Sequence, residues 1–394
     1  MKNLIDEIVE KYDHLLLNDR RWLHAHPELS GGEERSAAYI ADVLRSIGLQ
    51  PTEHVGGYGV VAVIEGARPG KCVALRADFD ALPVTEQTNL PFASATPGVC
   101  HACGHDAHAA MLLGAARVLN DMRSVFSGTV KLIFQPSEEN AADSVAKRMI
   151  ADGVLKQPAV DAIIGQHMNP QFPTGVISVQ PGAITAASDR FFITIQGKSS
   201  HASKPELGVD AISIGAQVIS ALQSIISRNV SPMDSAVITI GKIIGGSSYN
   251  SIAETCEMEG TCRNLNPKVR DEMPQRMEQI IRGIAEGMGA KYSFRYIHGY
   301  SPVINSQELY QIAHRAAVEL VGADHVCTQP PALGGEDFCF YTEQVPGIFY
   351  RLGCQKEGAP FWPLHNGHFD PDEQSLKIGC RMLVSSALDY LKAL

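Results

Sequence analysis

The sequence predicts an α/β protein: a mixed, largely parallel sheet, interrupted by an inserted α+β segment of ferredoxin-like type. Three observations predict it. Short apolar or β-branched runs are each followed by polar residues and then by a helical stretch, and this order recurs through the first half of the chain, as in a largely parallel sheet. From about Thr185 the order becomes strand, helix, strand, strand, helix, strand. After Gly299-Tyr300-Ser301-Pro302 the first pattern resumes. A chain of 394 residues is too long for one ordinary core. We therefore expect one domain over 1–184 and 298–394 and a second over 185–297.

Residues 1–50 read as two helices, joined by a stretch containing His24, His26, Pro27 and Glu28. Residues 59–65 and 72–77 are short, apolar and β-branched, and read as strands. The second runs into Asp78-Phe79-Asp80-Ala81-Leu82-Pro83. Residues 81–100, with Pro83, Pro91, Pro97 and Gly98, form a long loop, and such loops in compact domains are often functional. The Ala-rich run from Ala109 to Leu119 belongs to a buried helix over about 106–122, with Asp106 as its N-cap. A strand at 129–134 ends in Gln135-Pro136-Ser137-Glu138-Glu139-Asn140, and a helix follows from about Ala141 to Asp152. A strand at 159–165 ends in Gln166-His167-Met168-Asn169. In the second domain, strands are expected at 191–196, 236–243, 255–263 and 292–298, and helices at 209–227 and 268–288. The first domain then closes with a helix at 308–321, the loop Gly334-Gly335-Glu336-Asp337-Phe338, a strand at 347–352, the segment 364–370 and a helix over 372–391.

Composition excludes several classes of partner. Net charge is −10, and no Lys/Arg cluster is set to hold phosphates, which argues against nucleic acid or an anionic membrane. The apolar runs are too short to span a bilayer. Asp6, Glu7, Glu10 and Asp13 lie among apolar residues at helical spacing, so the N-terminus reads as a surface helix and not a signal peptide. Nine scattered cysteines, an odd number, fit reduced thiols in a cytoplasm.

The chemistry concentrates in Cys100-His101-Ala102-Cys103-Gly104-His105-Asp106-Ala107-His108. His101, His105 and His108 would share one face of a helix. Gly104 lets the backbone bend, so that Cys103 and His105 converge as adjacent metal ligands can. In parallel sheets ligands bind beyond the carboxyl ends of the strands. Asp78 and Asp80, Glu138 and Glu139, and His167 stand at three such ends, and with Cys103 and His105 they make one pocket. Thiolate and imidazole favour Zn, Ni, Co or Mn over Mg or Ca. An ion of that kind brings the pKa of a water it holds to about 7. Of two adjacent carboxylates, one can bind metal while the other moves the proton. The bland alternatives are satisfied Cys and His groups, and two Glu favoured at a helix N-terminus. Thiol catalysis by Cys103 with a His base is a further reading, separated by chelation. A non-catalytic metal- or peptide-binding protein is another, although simple binding requires no base beside Glu139.

The stretches Arg76-Ala77-Asp78-Phe79-Asp80-Ala81-Leu82-Pro83, His101 to His108, Gln135-Pro136-Ser137-Glu138-Glu139, Gly165-Gln166-His167 and Leu364-His365-Asn366 occur in this order through nearly the whole chain. Together they resemble the M20 metallopeptidase family, in its amidohydrolase branch of aminoacylases, hippurate hydrolases and auxin–amino acid conjugate hydrolases. The resemblance implies a zinc-peptidase-like catalytic domain, an inserted lid that also makes dimers, and two divalent transition metal ions per subunit (Zn, Mn, Co or Ni). It implies hydrolysis of the amide bond of N-acyl amino acids or small dipeptide-like compounds, with dipeptidase or carboxypeptidase action as the alternative. By motif, the metal ligands are Cys103 as a bridge, His105, Glu139, His167 and His365. Glu138 is the general base and acid, and Asp80 orients a ligand. His201, in the pattern Gly-x-x-x-His-Ala-x-x-Pro, stabilises the oxyanion, in its own subunit or across a dimer. Asn250 and Arg263 grip the substrate carboxylate, with Gly335 as a further substrate-binding residue; Arg263 reads equally as a strand-end surface charge. The implied partner is a small-molecule substrate, and the implied assembly a homodimer or homotetramer. The chain departs from the family pattern at Cys100, where Met is expected, and at Asn250-Ser251-Ile252-Ala253, which lacks a Pro. It departs again at His368, a rival to His365 as the last ligand.

Overall fold

Val, Ile, Leu and Ala fill the middle strands of an eight-stranded mixed sheet in the computed structural model, which describes residues 2–140 and 144–392. Across the sheet the order is Thr52–Val55, Gly59–Glu65, Ser127–Gln135, Arg68–Asp78, Ala162–Pro173, Gly347–Gln355, Ile177–Ser178 and Val326–Cys327. The four central strands run parallel. Gly59–Glu65 and Thr52–Val55 add antiparallel pairs at one side, and Ile177–Ser178 is antiparallel to Gly347–Gln355 at the other. The central strands are buried residue after residue, as expected where both faces are covered. Register matters for function: Asp78 lies opposite Gln135, so the two chains leave the sheet side by side, toward Asp80 and toward Glu138.

The His105–Asp121 helix is buried from His105 to Leu119, because Ala, Leu, Met and Gly dominate it and its polar side chains find buried partners, Asp106 with Arg20, His108 with Asp78 and Arg117 with Asp19. It packs against the Lys2–Ala25 and Gln374–Lys392 helices and the sheet. Gly114 allows that approach: a Cβ there would stand 3.0 Å from Leu16 Cδ1 and 3.1 Å from Cys380 Sγ.

Three expectations are corrected. The strand expected at 159–165 is Ala162–Pro173, because parallel pairing with Gly347–Gln355 continues past Arg351 opposite His167. His167 therefore sits inside a strand, not beyond its end. Asp106 is not an N-cap. Gly104, in the left-handed region at φ 86°, precedes the helix, and the Asp106 carboxylate accepts instead from Arg20 Nε at 3.0 Å and His24 Nδ1 at 2.8 Å. Of the helix expected over 141–152, the described part is Val145–Ala151, and the start at Ala141 lies outside the described residues.

The chain divides into two units. One takes the chain up to Gly182, Val303–Pro330 and the chain from Asp337 onward; the other takes Ala183–Pro302 and Pro331–Glu336. The second unit thus includes Gly335, which the sequence assigned to the first. Backbone pairing accounts for it: Ala186 N–H donates to Ala332 O and Ala332 N–H to Ile184 O, both at 2.9 Å. Its strands, Ser188–Gln196, Ala236–Gly245, Thr255–Asn264 and Lys291–Tyr300, form an antiparallel sheet in which the first lies between the fourth and the third. The Ala211–Asn229 and Pro267–Gly287 helices complete its core. This is the ferredoxin-like β-α-β-β-α-β order. Among the described residues, no helix is long and apolar enough to cross a membrane. All nine cysteines are free thiols.

Candidate metal centre

Three backbone kinks build the site in the first unit. Gly104 at φ 86° turns the chain between Cys103 and His105, and a Cβ there would press to 3.2 Å from Met168 Cγ. Ser137 at φ 57° turns the chain between the Ser127–Gln135 strand and the Glu138-Glu139 pair. His365 at φ 64° is held by its N–H donating to Ala102 O at 2.8 Å. Left-handed backbone at residues other than glycine is uncommon and tends to collect at functional sites.

These kinks converge the donors. The ligand atoms of Cys103, His105 and His167 all lie within 4.8 Å of one another, and so do those of Cys103, Glu139 and His365. A third set, His105, Glu138 and Glu139, meets the same limit. Cys103 Sγ is 3.5 Å from His167 Nε2, and His365 Nε2 is 3.1 Å from Glu139 Oε1. The two triads that share the Cys103 sulphur lie side by side.

The surroundings set each donor's orientation. His105 Nδ1 meets Asp80 Oδ1 at 3.1 Å, which leaves its Nε2 buried without a hydrogen-bond partner among the described residues. His167 Nδ1–H donates to its neighbour Met168 O at 2.7 Å, so the Nε2 lone pair faces the thiol. Asp80 Oδ2 accepts from Ser30 Oγ at 2.7 Å and from Glu139 N–H at 3.0 Å. His108 is spent: its Nδ1–H donates to Asp78 Oδ1 at 2.6 Å and its Nε2 accepts from Met168 N–H at 2.9 Å. Asp78 is itself held by Arg76 at 2.7 Å, and Arg76 reaches on to Asp337 at 2.7 Å.

Burial drives the Cys103 thiol well above its ordinary pKa and the His167 imidazole well below its own. Burial also opposes ionisation of Glu139, but His365 and His105 together outweigh it and the carboxyl stays below its usual value. A catalytic thiolate requires the opposite tuning, with a lowered thiol pKa. A divalent cation deprotonates a bound thiol outright and accepts neutral imidazole and carboxylate beside it. The donor set therefore fits transition-metal ions.

Of the two terminal histidines, His365 stands among the donors. His368 contacts Asn366 Oδ1 at 3.3 Å and stacks on Trp362 at 4.4 Å between centroids. Glu138 is 8% exposed beside Glu139. The remaining residues lie in the second unit, in two groups. His201 pairs with Ser251 across an isolated bridge, and Ala202 N–H donates to Asn250 O at 3.0 Å. His201 Nδ1 accepts from Ser203 N–H at 3.1 Å, so its proton sits on Nε2, and the residue is exposed. Arg263 donates to Leu333 O at 3.3 Å, two residues before Gly335. Gly335 abuts Tyr300, where a Cβ would come to 2.3 Å from the ring.

Residues 74–389 match peptidase family M20/M25/M40. The N-acetylcysteine deacetylase of Bacillus subtilis is 40% identical over 380 residues, which cover 96% of this chain and 97% of that protein. The N-acyl-L-amino acid amidohydrolase of Geobacillus stearothermophilus is 42% identical over 308 residues, 78% of this chain and 81% of that one. Among solved structures, the YXEP protein of Bacillus subtilis, a dinuclear metal binding peptidase of the M20 family, matches with a TM-score of 0.84 at 36% identity, over 98% of this chain and 100% of that chain. The converging Cys, His and Glu donors, the mixed sheet that carries them and this likeness along the chain have one reading: the protein belongs to peptidase family M20/M25/M40 and is a hydrolase of amide bonds.

Proposed function

We propose that the protein hydrolyses the amide bond of N-acyl amino acids, using two divalent transition metal ions held by Cys103, His105, Glu139, His167 and His365. The observation that carries this reading is the pair of donor triads sharing Cys103 Sγ. Ions bound there polarise a carbonyl and bring a water's pKa to about 7. Glu138, buried beside Glu139 and outside the shared-thiol triads, takes the proton of the attacking water and returns it to the departing nitrogen. Asp80 fixes the His105 ring so that Nε2 is the free donor. In the second unit, His201 offers an exposed Nε2–H to the oxyanion. Asn250, Arg263 and Gly335 are assigned to the substrate carboxylate. The substrate class is supported by relatives whose names specify N-acetylcysteine and N-acyl-L-amino acids. Unpaired thiols suit a reducing cytoplasm. The Ala236–Gly245 strand ends the second unit's sheet with Ile243 and Ile244 half exposed, an edge suited to pairing with a second copy in a homodimer.

The test is turnover of N-acetyl, N-benzoyl and indoleacetyl amino acids, with dipeptides as the competing class. Chelation abolishes activity and Mn, Co or Zn restores it; activity that survives chelation refutes the metal reading. E138Q keeps two ions per chain but loses about 10²–10⁴-fold in kcat. Normal turnover in E138Q refutes the base assignment.

A further inference from the structure

Glu33 and Ser137 are fully buried polar residues that the mechanism above does not use. Ser137 Oγ donates to Glu33 Oε1 at 2.6 Å and accepts from Gly31 N–H at 2.8 Å. Ser137 carries the left-handed kink immediately before Glu138. Such backbone is disfavoured at a residue with a Cβ, and it persists where the surroundings over-determine it.

The surroundings here are closely hydrogen-bonded. The 28–33 loop closes on itself through Gly32 N–H to Leu29 O at 2.9 Å and is tied to the sheet end by Ala81 N–H to Glu28 O at 2.8 Å. The Glu28 carboxylate accepts from Ser36 N–H at 2.8 Å in the first turn of the Glu34–Ser46 helix. Ser30 of the same loop binds Asp80, which in turn holds both His105 and the Glu139 backbone N–H. One short loop thus reaches both the residue before Glu138 and the backbone after it.

We propose that Glu33, acting through Ser137, is the positioning residue for Glu138. Its buried carboxylate locks the hydroxyl of Ser137, fixes the left-handed turn, and so sets where the Glu138 carboxylate stands. The inference rests on Glu138 being the base. Displacement of a reacting group by about 1 Å costs on the order of 10²-fold in rate, so a loosened turn is read in kcat and not in binding.

The experiment compares E33A, E33Q, S137G and E138Q in the full chain. Glycine accepts the Ser137 backbone without strain, so S137G removes the hydroxyl anchor and folds even if E33A does not, and E33Q, which leaves the backbone at 137 unchanged, separates loss of the anchor from added backbone freedom. With N-acetyl amino acid as substrate, E33A and S137G are expected to lose about 10²-fold in kcat. KM stays within about twofold and two ions per chain are retained. E33Q keeps an acceptor oxygen for Ser137 and recovers most of the rate. In the metal-free protein, amide hydrogen exchange across 137–140 rises about tenfold in E33A and S137G but not in E33Q. Unchanged kcat and unchanged exchange in S137G overturn the proposal, as does loss of rate only in step with loss of metal. If E138Q is inactive while S137G and E33A are normal, the clamp alone fails. If E138Q turns over normally, the base assignment fails and takes the clamp with it.

Discussion

Cys103 is the member common to the two triads proposed to hold metal, so its removal is expected to affect both. In C103A the two triads lose their common member, and we expect metal content to fall from two ions per chain to one or none by elemental analysis. In D80N the partner of His105 Nδ1 changes from an anion to an amide, and metal affinity drops about 10–100-fold in a chelator competition. At this scale the sequence was informative where the residue type is chemically unusual. Two thiols and three imidazoles in nine residues mark a site by density alone. It favoured His365 and kept His368 as a rival, because the turn at His365, tied to Ala102, that brings this ring to Glu139 leaves no trace in the sequence. It gave no signal for Arg76 as the link from Asp78 to Asp337, nor for Glu33, because their partners come from distant stretches.

The His105–Asp121 helix starts where it does because Gly104 can hold φ 86°. G104A keeps the donors but forces a Cβ into that conformation against Met168. The variant should be destabilised by about 1–2 kcal/mol, seen as an earlier thermal transition of the metal-free protein, and should bind metal more weakly because Cys103 and His105 no longer converge. Helices and long strands were readable from apolar periodicity. The extension of the third parallel strand to Pro173 was not, because it depends on pairing with Gly347–Gln355, from the other end of the chain. Two-residue strands such as Val326–Cys327 are too short to leave a periodic trace.

Within the first unit, Asp106 gathers Arg20 and His24, and His24 also meets Glu86 at 3.1 Å. This network makes stability depend on pH in two opposite ways. Burial works against the Glu86 carboxylate, but hydrogen bonds from His24, Thr88 and the Ser94 N–H lower its pKa from 4.5 to about 2. The folded state thus holds the ionised form more firmly than the unfolded chain does. That contribution is complete above pH 4.5 and is lost as pH falls toward 2. His24 is displaced upward from 6.5, since Asp106 and Glu86 outweigh its burial. Its contribution is complete below pH 6.5 and fades as pH rises through the folded value. Thermal melting of the metal-free protein should therefore plateau between these limits, and E86Q should flatten the acidic fall. At this scale the sequence showed the order of elements and the change of pattern near Thr185. It did not show that Pro331–Glu336 joins the second unit, because a short return crossing has no periodicity of its own.

The bond from His365 N–H to Ala102 O also has a consequence in time. His365 follows Cys103 by 262 positions, so a ribosome delivers the thiol-bearing cluster well before His365. Early segments can collapse and pair while synthesis continues, yet the second triad is incomplete until His365 has emerged. A chain that stops short of His365 carries four of the five proposed ligands and one complete triad, and such a fragment is expected to bind metal without acquiring turnover.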